Sequence, residues 1–394
     1  MDAVGVICEY NPFHLGHARH LQETRRASGA DAVVCVMSGV VVQRGELPLL
    51  SESARAEAAV RCGADLVLAL PLPWSVASAE RFAIGGVSIL ARLGNVSALS
   101  FGSESGDAER LSRVAAALDS QPFLNRLGEC LKTGISYAAA RQMAAEELIG
   151  EEARCLREPN DTLAAEYLRA AASLGWESRI FAVRREDTHD GDGLSAKRIR
   201  EMVYRGEDTS LLLPTASEAI LRREIAAGRA VTDPGRISDL VLARLRQMTD
   251  EDYRNLPDGS EGLWMRLARY GRTEPTLDAV LEKTKTKRYA YARLRRMVLC
   301  AYLGVSTGDA ENIPMYTRVL ALNDTGRRVL RESSRIGEIP IVTRPAEARR
   351  NHKEFAACLE MESRGTDLRA LAIPSGEGRR GGGFWRTSPV YVET

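Results

Sequence analysis

The chain has 394 residues, and at roughly 100 to 200 residues per domain it is expected to form two domains. Hydrophobic residues make up 44% and charged residues 27%, which excludes a disordered, collagenous or coiled-coil chain. The 54 basic and 53 acidic groups leave a formal charge of +1, so any attraction for nucleic acid must come from a local surface.

The first residues, Met1-Asp2-Ala3-Val4-Gly5-Val6-Ile7-Cys8-Glu9, lack a basic segment and read as a β-strand rather than a signal peptide. From there to about residue 205, short β-branched runs alternate with longer amphipathic segments. Strands are predicted at 4–8, 32–37, 65–70, 96–101 and 179–183, and helices at 16–27, 52–62 and 77–93 between them. This alternation predicts βαβ units, hence a Rossmann-like α/β domain with a parallel sheet over residues 1–210. After Leu213-Pro214 the predicted elements are helices, at 216–227, 237–248, 261–269, 277–283 and 290–303, so residues 211–394 are expected to form a mainly α-helical domain. Residues 381–383, Gly-Gly-Gly, read as a loop or tail. Seven cysteines stand singly, with no C-x-x-C pair, as thiols of a reducing compartment. No run reaches the roughly 18 apolar residues of a spanning helix, so a cytoplasmic protein without a membrane segment is expected.

Three of the five histidines, His14, His17 and His20, directly follow the first strand. At this chain's own His and Gly frequencies an H-x-G-H match is expected about 0.005 times by chance, so the pattern carries signal beyond its position. A strand, a turn at Asn11-Pro12 and a helix opening at His14 or Leu15 place both imidazoles at a helix N-terminus. Unpaired N–H groups and the helix dipole favour phosphate there, and Gly16 allows close approach. The imidazoles can then hydrogen-bond nonbridging oxygens and stabilise charge as an α-phosphate is attacked. Capping or surface histidines, or a zinc site from His14 and His17 with His20, are the plainer alternatives.

Further candidates lie at other strand ends. Ser195 is a predicted N-cap, and with Lys197, Arg198 and Arg200 would form a second anion site for β and γ phosphates. Gln43-Arg44-Gly45-Glu46 and Gly102-Ser103-Glu104 follow the second and fourth strands, at the edge where open α/β sheets bind ligands. Asp187, His189 and Asp190 suit acid/base work or a structural hydrogen bond equally. No G-x-x-x-x-G-K sequence is present, which excludes a P-loop. Charge is densest over residues 266–296, where ten Lys and Arg face three acids, interleaved with Tyr270, Tyr289 and Tyr291. That pattern suits RNA phosphates and stacked bases, or a solvated helix face.

H-x-G-H after strand one with a Ser-initiated basic helix after strand five resembles the nucleotidyltransferase superfamily. Closer matches are Ile7-Cys8-Glu9-Tyr10-Asn11-Pro12-Phe13-His14-Leu15-Gly16-His17, Val42-Gln43-Arg44-Gly45-Glu46, Pro159-Asn160-Asp161 and Tyr316-Thr317-Arg318-Val319-Leu320. On these the chain resembles the tRNA(Met) cytidine acetate ligase family over most of its length. The resemblance implies that ATP and acetate form acetyladenylate, and that the acetyl group passes to the exocyclic amine of the wobble cytidine of elongator tRNA(Met). It implies catalysis by His14 and His17, and Mg²⁺ screening the triphosphate. ATP would lie on Ile7 to His20, Ala18 and Arg19 included, with Gly102, Asn160, Arg184 or Arg185, and Ser195. The tRNA would lie on Lys285, Lys287, Arg288, Arg293, Arg295 and Arg296. No protein partner is implied. The pattern departs at Val40, Ala69 and Thr188, where the family tends to carry Asn, an acidic residue and Tyr; these bear on the acetate pocket or an RNA-facing loop.

Two other functions compete. A small-molecule adenylyltransferase would have no use for roughly 180 further residues with a basic cluster. An RNA-binding protein without catalysis would not need His14, Gly16 and His17.

Overall fold

The computed structural model describes residues 1–185, 195–374 and 376–393. Thr188 and the candidates Asp187, His189 and Asp190 lie outside the described residues.

Five parallel strands, β1 (Ala3–Cys8), β2 (Ala32–Ser38), β3 (Leu66–Leu70), β4 (Val96–Ser103) and β5 (Arg179–Arg184), form the sheet in the order β5-β4-β1-β2-β3. β1, β2 and β3 are near-continuous apolar runs because helices cover both of their faces. Helices α1 (Leu15–Ser28) and α2 (Glu52–Arg61) share a core with Val6, Cys35 and Val67 on one face. On the other, α3 (Ala79–Arg92) and α4 (Pro159–Ser173) pack on Ile7, Val36 and Leu99. Two glycines let α3 sit close to β1: a Cβ on Gly86 would stand 2.8 Å from Ile7 Cδ1, and one on Gly5 2.6 Å from Leu90 Cδ1. Phe82 and Leu90 are thereby fully buried, each contributing about 1.5 to 3 kcal/mol.

From β1 the chain builds outward to β2 and β3, then returns to β4 on the other side of β1. In open α/β sheets such a reversal places ligands beyond the carboxyl ends of the strands that flank it, here β1 and β4. The H-x-G-H segment leaves β1 there, and Gly102 lies near the end of β4.

The helical part differs from expectation in one respect. Helices α5 (Ala196–Tyr204), α6 (Ser238–Gln247), α7 (Leu263–Thr273), α8 (Leu277–Thr284) and α9 (Tyr291–Leu303) follow β5; α5 buries Ile199 and Val203 in the core with Val6, Cys35 and Val67, whereas Val241, Leu245, Tyr253, Leu267 and Leu294 belong to a second core. The chain then rejoins the sheet. β6 (Thr317–Leu322) runs antiparallel to β3, and β7 (Ile341–Val342) and β8 (Val390–Tyr391) pair with β6. The sheet is therefore mixed rather than wholly parallel, and residues 211–394 supply its last strands as well as a helical layer. Thr317-Arg318-Val319-Leu320-Ala321-Leu322 is too short to be separated by periodicity from the apolar helices around it. The tail beyond residues 381–383 is anchored, with Phe384 fully buried under the Arg318 guanidinium.

Candidate active site

The chain turns sharply out of β1. Tyr10 adopts a left-handed backbone (φ 47°), the Asn11–Pro12 peptide is cis, and the Asn11 side chain accepts from Leu49 N at 2.8 Å. His14 then caps α1: its Nδ1 accepts from Gly16 N at 3.1 Å, and His17 Nδ1 accepts from His14 N at 3.2 Å. Reciprocal bonds of this kind are normally made by Ser or Thr with Glu or Gln. The two rings stack, with centroids 3.7 Å apart, while Tyr10 meets His17 edge-on at 4.9 Å.

This geometry assigns the tautomers. A backbone N–H can only donate, so each Nδ1 is an acceptor and each neutral ring carries its proton on Nε2. Burial, reinforced by Arg185, pulls His14 down to about 3. Burial, then His14 and Arg185, holds His17 well below the usual range, and burial with Arg185 takes His20 to about 4. At neutral pH all three are uncharged, and His14 and His17 present N–H donors rather than bases.

The capping alternative and the phosphate alternative thus use different nitrogens of the same ring. Free backbone N–H groups are not the source of the site: Leu15 N donates to Leu212 O, Gly16 N to His14 Nδ1, and His17 N to His14 O. Imidazole Nε2–H groups, the helix dipole and Arg185 remain. Among the described residues no group of three His, Cys, Asp or Glu side chains could hold a metal, so the zinc alternative has no ligand set there.

Gly102 and Arg185 meet at this edge. Arg185 Cγ lies 3.6 Å from the position of a Cβ on Gly102, whereas Arg184 turns away to pack on Gly106. Of the two arginines, the structure brings Arg185 to the histidines. Asn160 opens α4 and is locked to the β4 loop: Glu104 accepts from the side chain and backbone of Asn160 and from Asp161 N. In return, Asp161 accepts from the Ser103 hydroxyl, Glu104 N and Ser105 N.

Ser195 caps α5 as expected, accepting from Arg198 N at 3.2 Å. Arg200 departs from expectation, because its guanidinium is held within the protein by Asn11 O (2.8 Å) and Glu46 (2.7 Å). Arg55, absent from the expected set, is fully buried and donates to the carbonyls of Glu9 and Gly39 at the ends of β1 and β2. A single Arg in the Ala-rich Glu52-Ser53-Ala54-Arg55-Ala56 stretch was the available signal. Among the departures from the family pattern, Val40 is buried near Gly365, and Ala69 is buried in β3 with its carbonyl accepting from Thr317 Oγ1.

The basic segment is less cationic in space than in sequence. The Asp258 carboxylate accepts from Arg296 and its backbone carbonyl from Arg293, Glu261 meets Arg288 and Arg293, and Glu46 binds Arg295. Arg296 is only 11% exposed and serves the fold. Lys285 and Lys287 are exposed and have no carboxylate partner among the described residues, although Lys285 Nζ reaches Thr286 O.

A doubly wound sheet with stacked, neutral imidazoles at its switch-point edge defines a nucleotidyltransferase. The family model described as HIGH Nucleotidyl Transferase matches residues 1–381. The tRNA(Met) cytidine acetate ligase of Acetivibrio thermocellus is 33% identical, over 97% of this chain and 98% of that protein; that of Syntrophotalea carbinolica is 34% identical, over 96% of each. The crystal structure of Thermotoga maritima TmcAL bound with alpha-thio ATP superposes with a TM-score of 0.93 at 32% identity, covering all of both chains. The chain belongs to the tRNA(Met) cytidine acetate ligase family.

Proposed function

We propose that this protein is a tRNA(Met) cytidine acetate ligase, using ATP to convert acetate to acetyladenylate and acetylating the wobble cytidine of elongator tRNA(Met) to N4-acetylcytidine. The observation that carries the proposal is the pair of stacked, Nε2-protonated imidazoles at the switch-point edge of a sheet in a chain that matches this family along its length.

In the first step an acetate oxygen attacks the α-phosphorus and pyrophosphate leaves. His14 and His17 donate Nε2–H bonds to the nonbridging oxygens as their charge grows, and Arg185 adds a fixed positive charge. Neither ring moves a proton. Mg²⁺ would be carried in by the triphosphate itself and would screen its charge, since no group of three His, Cys, Asp or Glu side chains among the described residues could hold a metal. In the second step the cytidine amine attacks the acetyl carbonyl, AMP leaves and the amine releases one proton to solvent. The amine is a weak nucleophile, so the rate depends on placing it close to the carbonyl, with the helical layer and Lys285 and Lys287 holding the RNA. Seven free cysteines agree with a cytoplasmic setting, and no helix among the described residues is long and apolar enough to cross a membrane.

Labelled acetate, ATP, Mg²⁺ and total tRNA, followed by nucleoside analysis, test the proposal. Label in N4-acetylcytidine with wild type, and none with His14→Ala/His17→Ala, is expected. Pyrophosphate exchange into ATP without label in tRNA would overturn the RNA half and favour a small-molecule adenylyltransferase.

A further inference from the structure

Glu46 ends a hairpin whose tip rests on α9. Val42 and Glu46 pair across it, and Gly45 N donates to Val42 O at 3.0 Å. Gly45 has φ 74°, and a Cβ there would stand 2.5 Å from Arg296 N, so hairpin and helix backbone touch directly. The Glu46 carboxylate is then shared. Oε1 accepts from Arg295 of α9 and Oε2 from Arg200 of α5, each at 2.7 Å. The other terminal nitrogen of Arg200 donates to the Asn11 carbonyl at 2.8 Å, three residues before His14.

We infer that Glu46 is a positioning residue that couples RNA bound on α9 to the histidine turn. The physical basis is competition for one guanidinium. Arg295 is the open end of the chain of contacts, 44% exposed, and Arg200 the closed end, 11% exposed. A backbone phosphate that engages Arg295 draws its donors from Glu46. Both carboxylate oxygens then serve Arg200 alone, which fixes the Asn11 carbonyl and, through it, the turn that sets His14. Coupling of this kind is reciprocal, so RNA tightens ATP binding by the factor with which ATP tightens RNA binding. The inference rests on the function proposed above, which supplies tRNA as the occupant of α9.

The test is calorimetric affinity for α,β-methylene ATP with and without saturating elongator tRNA(Met), for wild type, Glu46→Ala, Arg295→Ala and the double variant. Wild type should show a ratio of about fivefold or more. Each single change should bring the ratio near one, and the double change should remove nothing further. A turn that is merely loosened weakens ATP binding equally in both conditions and leaves the ratio unchanged. A wild-type ratio of one, or a wild-type ratio kept by Glu46→Ala, overturns the coupling. Because Arg295 is half-exposed, Arg295→Ala supplies the answer should Glu46→Ala fail to fold. Wild type that binds no tRNA overturns the functional proposal together with this one, whereas wild type that acetylates tRNA with a ratio of one overturns the coupling alone.

Discussion

His14 performs two tasks with two nitrogens, and a pair of substitutions separates them. His14→Ala removes the Nδ1 acceptor of Gly16 N and the Nε2–H donor together. Loss of an N-cap costs about 0.5 to 2 kcal/mol of stability, and loss of one preorganised donor to a developing oxyanion costs about 10²- to 10³-fold in kcat. His14→Asn retains the cap, since Asn is among the best N-cap residues, but its short amide does not reproduce the Nε2 donor. The expected result is a melting temperature near wild type for His14→Asn and a lowered one for His14→Ala. Both should lose about 10²-fold or more in acetate-dependent pyrophosphate exchange into ATP. With His14 at about 3 in the folded protein, wild type should show no rate transition from His14 between pH 6 and 8. Exchange within threefold of wild type for His14→Asn would refute the donor role. A wild-type transition near pH 6.5 that disappears in His14→Asn would refute the neutral tautomer.

The depressed histidines also make the apo protein acid-sensitive. Their folded pKa values lie below the ordinary 6.5, so the unfolded chain binds more protons, and stability is full above pH 6.5 and falls below it. Down to about pH 4, each of His14 and His20 costs about 1.4 kcal/mol per pH unit, a slope that His14→Asn should reduce by one proton in urea titrations from pH 7 to 4.5. Glu362→Gln should cost about 1 to 3 kcal/mol in the same titration at pH 7, because Arg318, itself 3% exposed, would lose a fully buried carboxylate at 2.8 Å while keeping Glu52 at 2.8 Å. Lys285→Glu/Lys287→Glu should weaken tRNA binding and lower the salt slope by about one per lysine, whereas Arg296→Ala should lower the melting temperature more than the slope. An unchanged slope in the double lysine variant would remove this face from the RNA site.

The strand and helix alternation was legible because it depends on period and local composition alone. β1, β2 and β3 fall within a residue or so of their expected positions, and α9 begins one residue late. β6 was not legible as a strand, since an antiparallel strand joining β3 from residue 317 onward is specified by the partner's unpaired edge rather than by its own six residues. The role of Arg200 was misjudged for a related reason. A basic residue near a helix start reads as a phosphate ligand until the carboxylate of Glu46 is found beside it, 154 residues away.

By itself the sequence determined the doubly wound layout, the H-x-G-H segment after the first strand and the Ser195 cap. Each is written in contiguous residues through period, turn chemistry or capping. Tertiary structure alone decided that Arg185 rather than Arg184 faces the histidines and that both Nδ1 atoms are spent on backbone N–H groups. It also decided that Asp258, Glu261 and Glu46 neutralise much of the basic segment, Glu46 from 249 residues away. Electrostatics depends on distance in space, and distance in space is set by packing.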